Sequence, residues 1–166
     1  MNWKILLNLG CFAPIIILIP GGSTLGSPIQ FRRNQDSFIS SSVQLKCNNS
    51  LATNTKWTIK NCTSSNCSFQ IQLDQSVITT FSELFIPART LPIGIYELTL
   101  TVTMITSPNL TSSSSAYIQI TSSGIIVNLL QFGASMITRG YQQNLTIDPG
   151  SFSVDLDGNV FNASVR

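Results

Sequence analysis

Residues 95–104 read IYELTLTVTM, and the fold is decided there. Side chains of an extended chain alternate between two faces, so Tyr96, Leu98, Leu100, Val102 and Met104 share one side and Glu97, Thr99, Thr101 and Thr103 the other. A helix would scatter the apolar set around its circumference; a strand gathers it into one buried face. The outward set is hydroxylated and β-branched, which suits the solvent side of a sheet.

The same alternation recurs on both sides of this stretch. Val43, Leu45 and Cys47 alternate with Gln44 and Lys46. Trp57 and Ile59 alternate with Thr58 and Lys60. Phe69, Ile71 and Leu73 alternate with Gln70 and Gln72, and residues 83–86 form a short further strand. Ser107, Pro108 and Asn109 end the deciding stretch, and Ala116, Ile118 and Ile120 mark the next strand. Strands at this spacing, with turn residues between them and no helical period, predict an all-β chain folded as an antiparallel sandwich. With Trp57 following Cys47, and Tyr96 not followed by a bridge cysteine, it resembles the immunoglobulin-like sandwiches of the PKD and fibronectin III kind. Trp57, Tyr96, Leu98, Leu100 and Val102 are its expected core. The first sandwich is drawn over 28–121.

A second, incomplete sandwich is expected over 122–166. Residues 125–132 form an apolar strand, 133–143 a polar connection, and 144–148 another strand with Leu145 and Ile147 inward. The turn-rich corner DPGSFSVDLDG follows at 148–158. Two strands do not enclose a core by themselves, so the chain is expected to be a piece of a longer protein.

Residues 1–27 read as a signal peptide or an anchor. One cation, Lys4, precedes the apolar run 5–19, and small residues follow at Gly21, Gly22, Ser23, Gly26 and Ser27. The run is shorter than a spanning helix needs. Removal of this leader would take Cys11 with it. Cys47, Cys62 and Cys67 then remain as disulfide candidates, with one thiol left over. Their spacing does not choose the pairing, since Cys62 with Cys67 and Cys47 with either are all open.

Asn-x-Ser/Thr occurs at Asn48, Asn61, Asn66, Asn109, Asn144 and Asn162; about three would arise from this composition by chance. With the leader and the cysteines, these N-glycosylation candidates place the chain outside the cell. Asn61 and Asn66 carry a cysteine in the middle position, where a rapidly formed disulfide would block modification.

The 166 residues include 43% hydrophobic and only 10% charged ones, with a net charge of +2 and no histidine. That balance supports a core and offers no basic footprint for nucleic acid. A serine nucleophile would lack its usual base, and three cysteines without histidine make a poor zinc set. Asp155, Asp157 and Gly158 resemble part of a calcium loop, but the closing glutamate is missing; the simpler reading is a turn whose carboxylates cap backbone N–H groups. Arg89 is expected to pair with Glu83 or Glu97, Arg32 and Arg33 to be solvated, and the serine run 112–115 to be a loop. No catalytic residue, cofactor or metal is expected.

Several stretches together resemble the receptor-for-egg-jelly (REJ) region of polycystin-like proteins: VQLKC, KWTIKNC, SELFIPARTLPIGIYELTLTVTM and ITRGYQQNLTIDPGSFSVDLDG, over roughly 40–162. The last is similar to the start of a PKD-like repeat, with its corner at Leu145, Asp148, Ser153, Asp155 and Asp157. Trp57 follows Cys47 as in an immunoglobulin domain, but Tyr96-Glu97-Leu98 lacks the second bridge cysteine. The resemblance implies a non-catalytic extracellular structural or adhesive segment of a membrane receptor, with an unknown extracellular protein or glycan as partner. A small secreted glycoprotein that acts as a binding module, complete as written, is the alternative, and an amino-terminally anchored adhesin is a third.

Overall fold

The computed structural model describes residues 10–47, 50–63, 65–72, 75–80, 82–129, 136, 138–145, 147 and 152–158. Its regular elements run in the order β1 (Ile15–Ile19), β2 (Ile29–Arg32), β3 (Ser37–Gln44), β4 (Thr53–Cys62), β5 (Cys67–Ile71), β6 (Ile78–Thr79), β7 (Glu83–Ile86), β8 (Gly94–Met104), β9 (Ser107–Thr121), β10 (Ile125–Ile126) and β11 (Val154–Asp155). The all-β expectation holds. Among the described residues no helix is long and apolar enough to cross a membrane.

Two sheets face each other across the core. One has the order β1-β3-β7-β6 and the other β2-β9-β8-β4-β5; β10 and β11 form a separate ribbon. Among the described residues every strand pairing is antiparallel except β2 with β9, which run parallel with Ile29 opposite Ile118 and Arg32 opposite Thr121. The chain leaves β1 at the cis peptide Ile19–Pro20 and crosses to the other sheet as β2.

The deciding stretch lies at the centre of the five-stranded sheet. Tyr96, Leu98, Leu100, Val102 and Met104 are buried along β8, while the residues between them are half-buried. Tyr96, Leu98, Leu100 and Val102 pack with Trp57, Ile59, Ala116, Ile118 and Ile120 of their own sheet against Leu18, Ile39, Leu84 and Ile86 of the other. This is the arrangement that hides one apolar face of each sheet from water. The outer face of β8 and β9 is held by hydroxyl pairs: Thr99 with Ser115 at 2.7 Å, Thr101 with Ser113 at 2.9 Å, and the Thr111 hydroxyl donating to Thr103 at 3.0 Å. The serine run 112–115 is therefore strand and not loop. Serine has weak strand propensity, and cross-strand threonines supply what it lacks.

Other expectations need correction. β3 starts at Ser37, earlier than the alternation at Val43 suggests, because Phe38 and Ile39 join a serine-rich run whose hydroxyls mask the period. Phe69 is not inward but 78% exposed; β5 is the edge strand of its sheet. Beyond 122, the strand at 125–132 shrinks to β10 within the described residues, and residues 144, 145 and 147 are not strand. Leu145 and Ile147 are exposed. A two-stranded ribbon offers no layer to cover them. The partner of β10 is instead β11, inside the corner that reads as turns.

The structure also uses part of the expected leader. Ile15–Ile19 pairs with β3, Leu18 is buried, and Cys11 is bonded to Cys47. Cys62 is bonded to Cys67. No leftover thiol remains, because Cys11 supplies the partner that a chain lacking residues 1–27 would miss.

Candidate functional site

The most elaborate polar cluster lies where the sandwich hands over to the β10–β11 ribbon. The turn after β2 presents Arg33 and Asn34, the corner after β7 presents Arg89, and the exit from β9 presents Ser123 and Gly124. The Asn34 amide donates to the Ser123 hydroxyl at 2.9 Å, and the Arg89 amide donates to the Arg33 carbonyl at 2.7 Å. Arg89 takes φ +65, a left-handed conformation costly for a side chain with a Cβ. That conformation belongs to a residue whose two ends are both engaged.

Onto this platform comes the corner at 155–157. The Arg33 guanidinium donates to the Asp157 carbonyl at 3.1 Å, and that of Arg89 to the Leu156 carbonyl at 2.8 Å. The Asp157 carboxylate accepts from the Ser123 amide at 2.6 Å, and Asp155 accepts from the Asp157 amide at 2.9 Å. The Leu156 amide donates to Gly124 at 3.3 Å. Farther along the ribbon, the Asn128 amide donates to the Ser153 hydroxyl at 3.3 Å and its side chain to the Phe152 carbonyl at 2.9 Å.

The electrostatics follow from these contacts. Hydrogen bonding from Ser123 holds the Asp157 carboxyl below its ordinary value, and the positive charges of Arg33 and Arg89 add to that. The two carboxylates thus cap backbone groups, and no cluster of three or more metal-ligating side chains occurs among the described residues. Arg89 does not pair with Glu83 or Glu97. Glu97 sits on the outer face of β8, 3.3 Å from Lys60, and accepts from the Tyr117 hydroxyl at 3.2 Å. A cavity of about 10 Å³ beside Arg33, Ser37, Arg89 and Leu91 has room for about one water. It is far below the hundreds of cubic ångströms a small-molecule site needs.

Sequence reading missed this junction. Arg33 looks like half of a solvated pair, and its contact with Asp157 spans 124 residues. No local signal joins them. The core carries one more constraint. The Tyr96 hydroxyl donates to the Pro92 carbonyl at 2.8 Å, tying β8 to the corner before it, as the tyrosine of sandwich corners does. The Trp57 indole N–H donates to the Thr80 carbonyl at 3.3 Å across the core.

Among the glycosylation candidates, Asn61, Asn66, Asn109 and Asn144 are exposed; Asn48 and Asn162 lie outside the described residues, as does Asp148 of the PKD-like corner.

The family model of the REJ domain matches residues 41–164. The chain belongs to the REJ domain family. The match begins inside β3 and takes in β4 to β11, with Arg89, Ser123 and Asp157 of the junction; β1, β2 and Arg33 lie ahead of it. No curated protein and no solved structure matches the chain.

Proposed function

We propose that this REJ domain is an extracellular, non-catalytic module of a polycystin-like membrane receptor, and that it works as a load-bearing spacer. Family membership and the two disulfides support the extracellular setting. The strand order, with β2 and β1 split between the sheets, supports reading the sandwich as immunoglobulin-like. The observation that carries the mechanical reading is the parallel β2–β9 ladder. Tension entering before Ile29 and leaving after Thr121 pulls these two strands lengthwise past each other. Their rungs are then loaded together and must break together, whereas an antiparallel hairpin pulled from one end unzips rung by rung.

The apolar run at 5–19 is proposed to route the chain into the secretory pathway. β1 is apolar on both faces, with Ile16 and Leu18 inward and Ile15, Ile17 and Ile19 outward, unlike the hydroxylated outer face of β8 and β9. Removal of residues 1–27 would leave Cys47 without its partner. Peptide mapping of the mature amino terminus decides whether β1 stays.

Single-molecule pulling with handles just before Ile29 and just after Thr121 tests the spacer role. A high, single-step unfolding force is expected, and Phe31→Pro, which removes a β2 amide, should lower it sharply. Extension at low force without a distinct peak would defeat this reading. A binding module is the second reading, favoured by the outward apolar residues Ile15, Ile17, Ile19, Phe38 and Ile78 on one sheet.

A further inference from the structure

The sequences Asn61-Cys62-Thr63 and Asn66-Cys67-Ser68 are two glycosylation sequons whose middle residues are bonded to each other. The bridge closes the β4–β5 hairpin where Cys62 faces Cys67 in the ladder. Inside the ring the Thr63 amide donates to the Asn66 carbonyl at 2.8 Å. The Asn66 amide donates to the Thr63 hydroxyl at 3.3 Å, and that hydroxyl donates to the Asn66 carbonyl at 3.2 Å. The hydroxyl that makes Asn61 a sequon is thus engaged by the backbone of the other sequon's asparagine.

Sugar transfer needs what this ring withholds. The asparagine amide nitrogen attacks the anomeric carbon of an oligosaccharide carried on a lipid pyrophosphate. A C–N bond forms, the sugar–phosphate bond breaks, the lipid pyrophosphate leaves and one amide proton is lost. The acceptor segment must be extended, accessible and free at its Ser/Thr hydroxyl. Bridge formation competes: two thiols lose two protons and two electrons to an exchanging disulfide of the oxidising compartment. With only five residues of separation, both thiols emerge together and the closure entropy is small.

We propose that the Cys62–Cys67 bridge gates glycosylation at Asn61 and Asn66, so that bridged chains carry no sugar at either position. Asn109 and Asn144, exposed and remote from any cysteine, carry it in either state. The Thr111 hydroxyl of the Asn109 sequon is also engaged in the folded chain, but by strand pairing that opens reversibly, with no covalent ring across the sequon. This proposal rests on the extracellular reading.

The full chain is expressed in mammalian cells, digested without reduction, and deglycosylated enzymatically in heavy-oxygen water, which marks each formerly glycosylated asparagine by mass. Cys62→Ala and Cys67→Ala each remove the bridge and keep both sequons. In the wild type, peptides carrying the bridge should show almost no mark at Asn61 or Asn66, while Asn109 and Asn144 are marked. In both variants, occupancy at Asn61 should rise severalfold, read in cell lysate so that a variant retained for misfolding still reports. Brief exposure of wild-type cells to dithiothreitol should raise it likewise. Wild-type peptides both bridged and marked at Asn61, or occupancy unchanged in both variants and under reductant, overturn the gate alone. Absence of the mark from Asn109 and Asn144 as well overturns the extracellular reading beneath it.

Discussion

Trp57 and Tyr96 are the two residues on which the sandwich most depends, each through a buried ring with one polar atom. Both are at most 5% exposed, and each polar atom reaches a backbone carbonyl. Trp57→Ala should destabilise the chain by about 3–5 kcal/mol, since an aromatic truncation leaves a cavity as well as lost burial; a urea titration measures this. Tyr96→Phe keeps the ring and removes one hydrogen bond, for a loss of about 1 kcal/mol. Burial also pushes the Tyr96 phenol above its ordinary 10.0, with Arg33 partly opposing. A raised pKa means that the folded state holds the proton more tightly. Stability is then full below the unfolded value and falls as pH climbs through the folded one. Tyr117, raised by burial and by Glu97, titrates in the same sense. The urea midpoint should therefore drop above pH 10.0, and less steeply in Tyr96→Phe; an equal slope in both proteins would remove Tyr96 as a cause.

The disulfides are unequal partners of the strands they join. The Cys11–Cys47 bridge spans 36 residues and ties the segment ahead of β1 to the one following β3, whereas Cys62–Cys67 spans five. In the chain-entropy account the first restricts the unfolded state by about 4 kcal/mol and the second by about 2 kcal/mol. In a chain that keeps its amino terminus, replacing Cys11 and Cys47 with serine should lower the denaturation midpoint more than the same change at Cys62 and Cys67. The reverse order would indicate that β1 is already loose in the bridged protein. The β8–β9 hydroxyl pairs are smaller contributions, about 0.2–1 kcal/mol each, but they explain how four consecutive serines remain in a strand.

At the scale of the molecule, the junction decides how firmly the β10–β11 ribbon is held to the sandwich. The Asp157 carboxylate accepts from the Ser123 amide beside the Arg33 and Arg89 guanidinium groups that hold the carbonyls of the corner. That carboxyl is held below the ordinary 3.8, first by Ser123 and then by the arginines. A depressed pKa stabilises the docked ribbon above that value and ceases to as pH falls through the folded one. Limited proteolysis within 122–129 and 152–158 should therefore be slow at neutral pH and accelerate in acid. Asp157→Ala should be cut severalfold faster at neutral pH and lose most of the acid dependence. A wild-type chain cut there at once, at neutral pH, would show the junction to be too weak to transmit load.

The sequence by itself determined the class of fold and most of one sheet. Residues 95–104 alternate so strictly that only a strand buries their apolar set, and Trp57, Ile59, Ala116, Ile118 and Ile120 repeat that logic beside them. Period-two burial is a local property, readable wherever side chains differ enough in polarity. It was not readable at Phe38 and Ile39 among serines, or at residues 112–115, where hydroxyl pairing across strands replaces apolar contrast. Nor was it readable at the β10–β11 ribbon, whose two-residue strands are too short to show a period. Only the tertiary structure decided that Cys11 meets Cys47, that β2 lies parallel to β9, and that Arg33 and Arg89 receive the corner at Asp157. Those contacts join residues far apart in the chain, and their geometry is set by how the sheets stack, which no local pattern encodes.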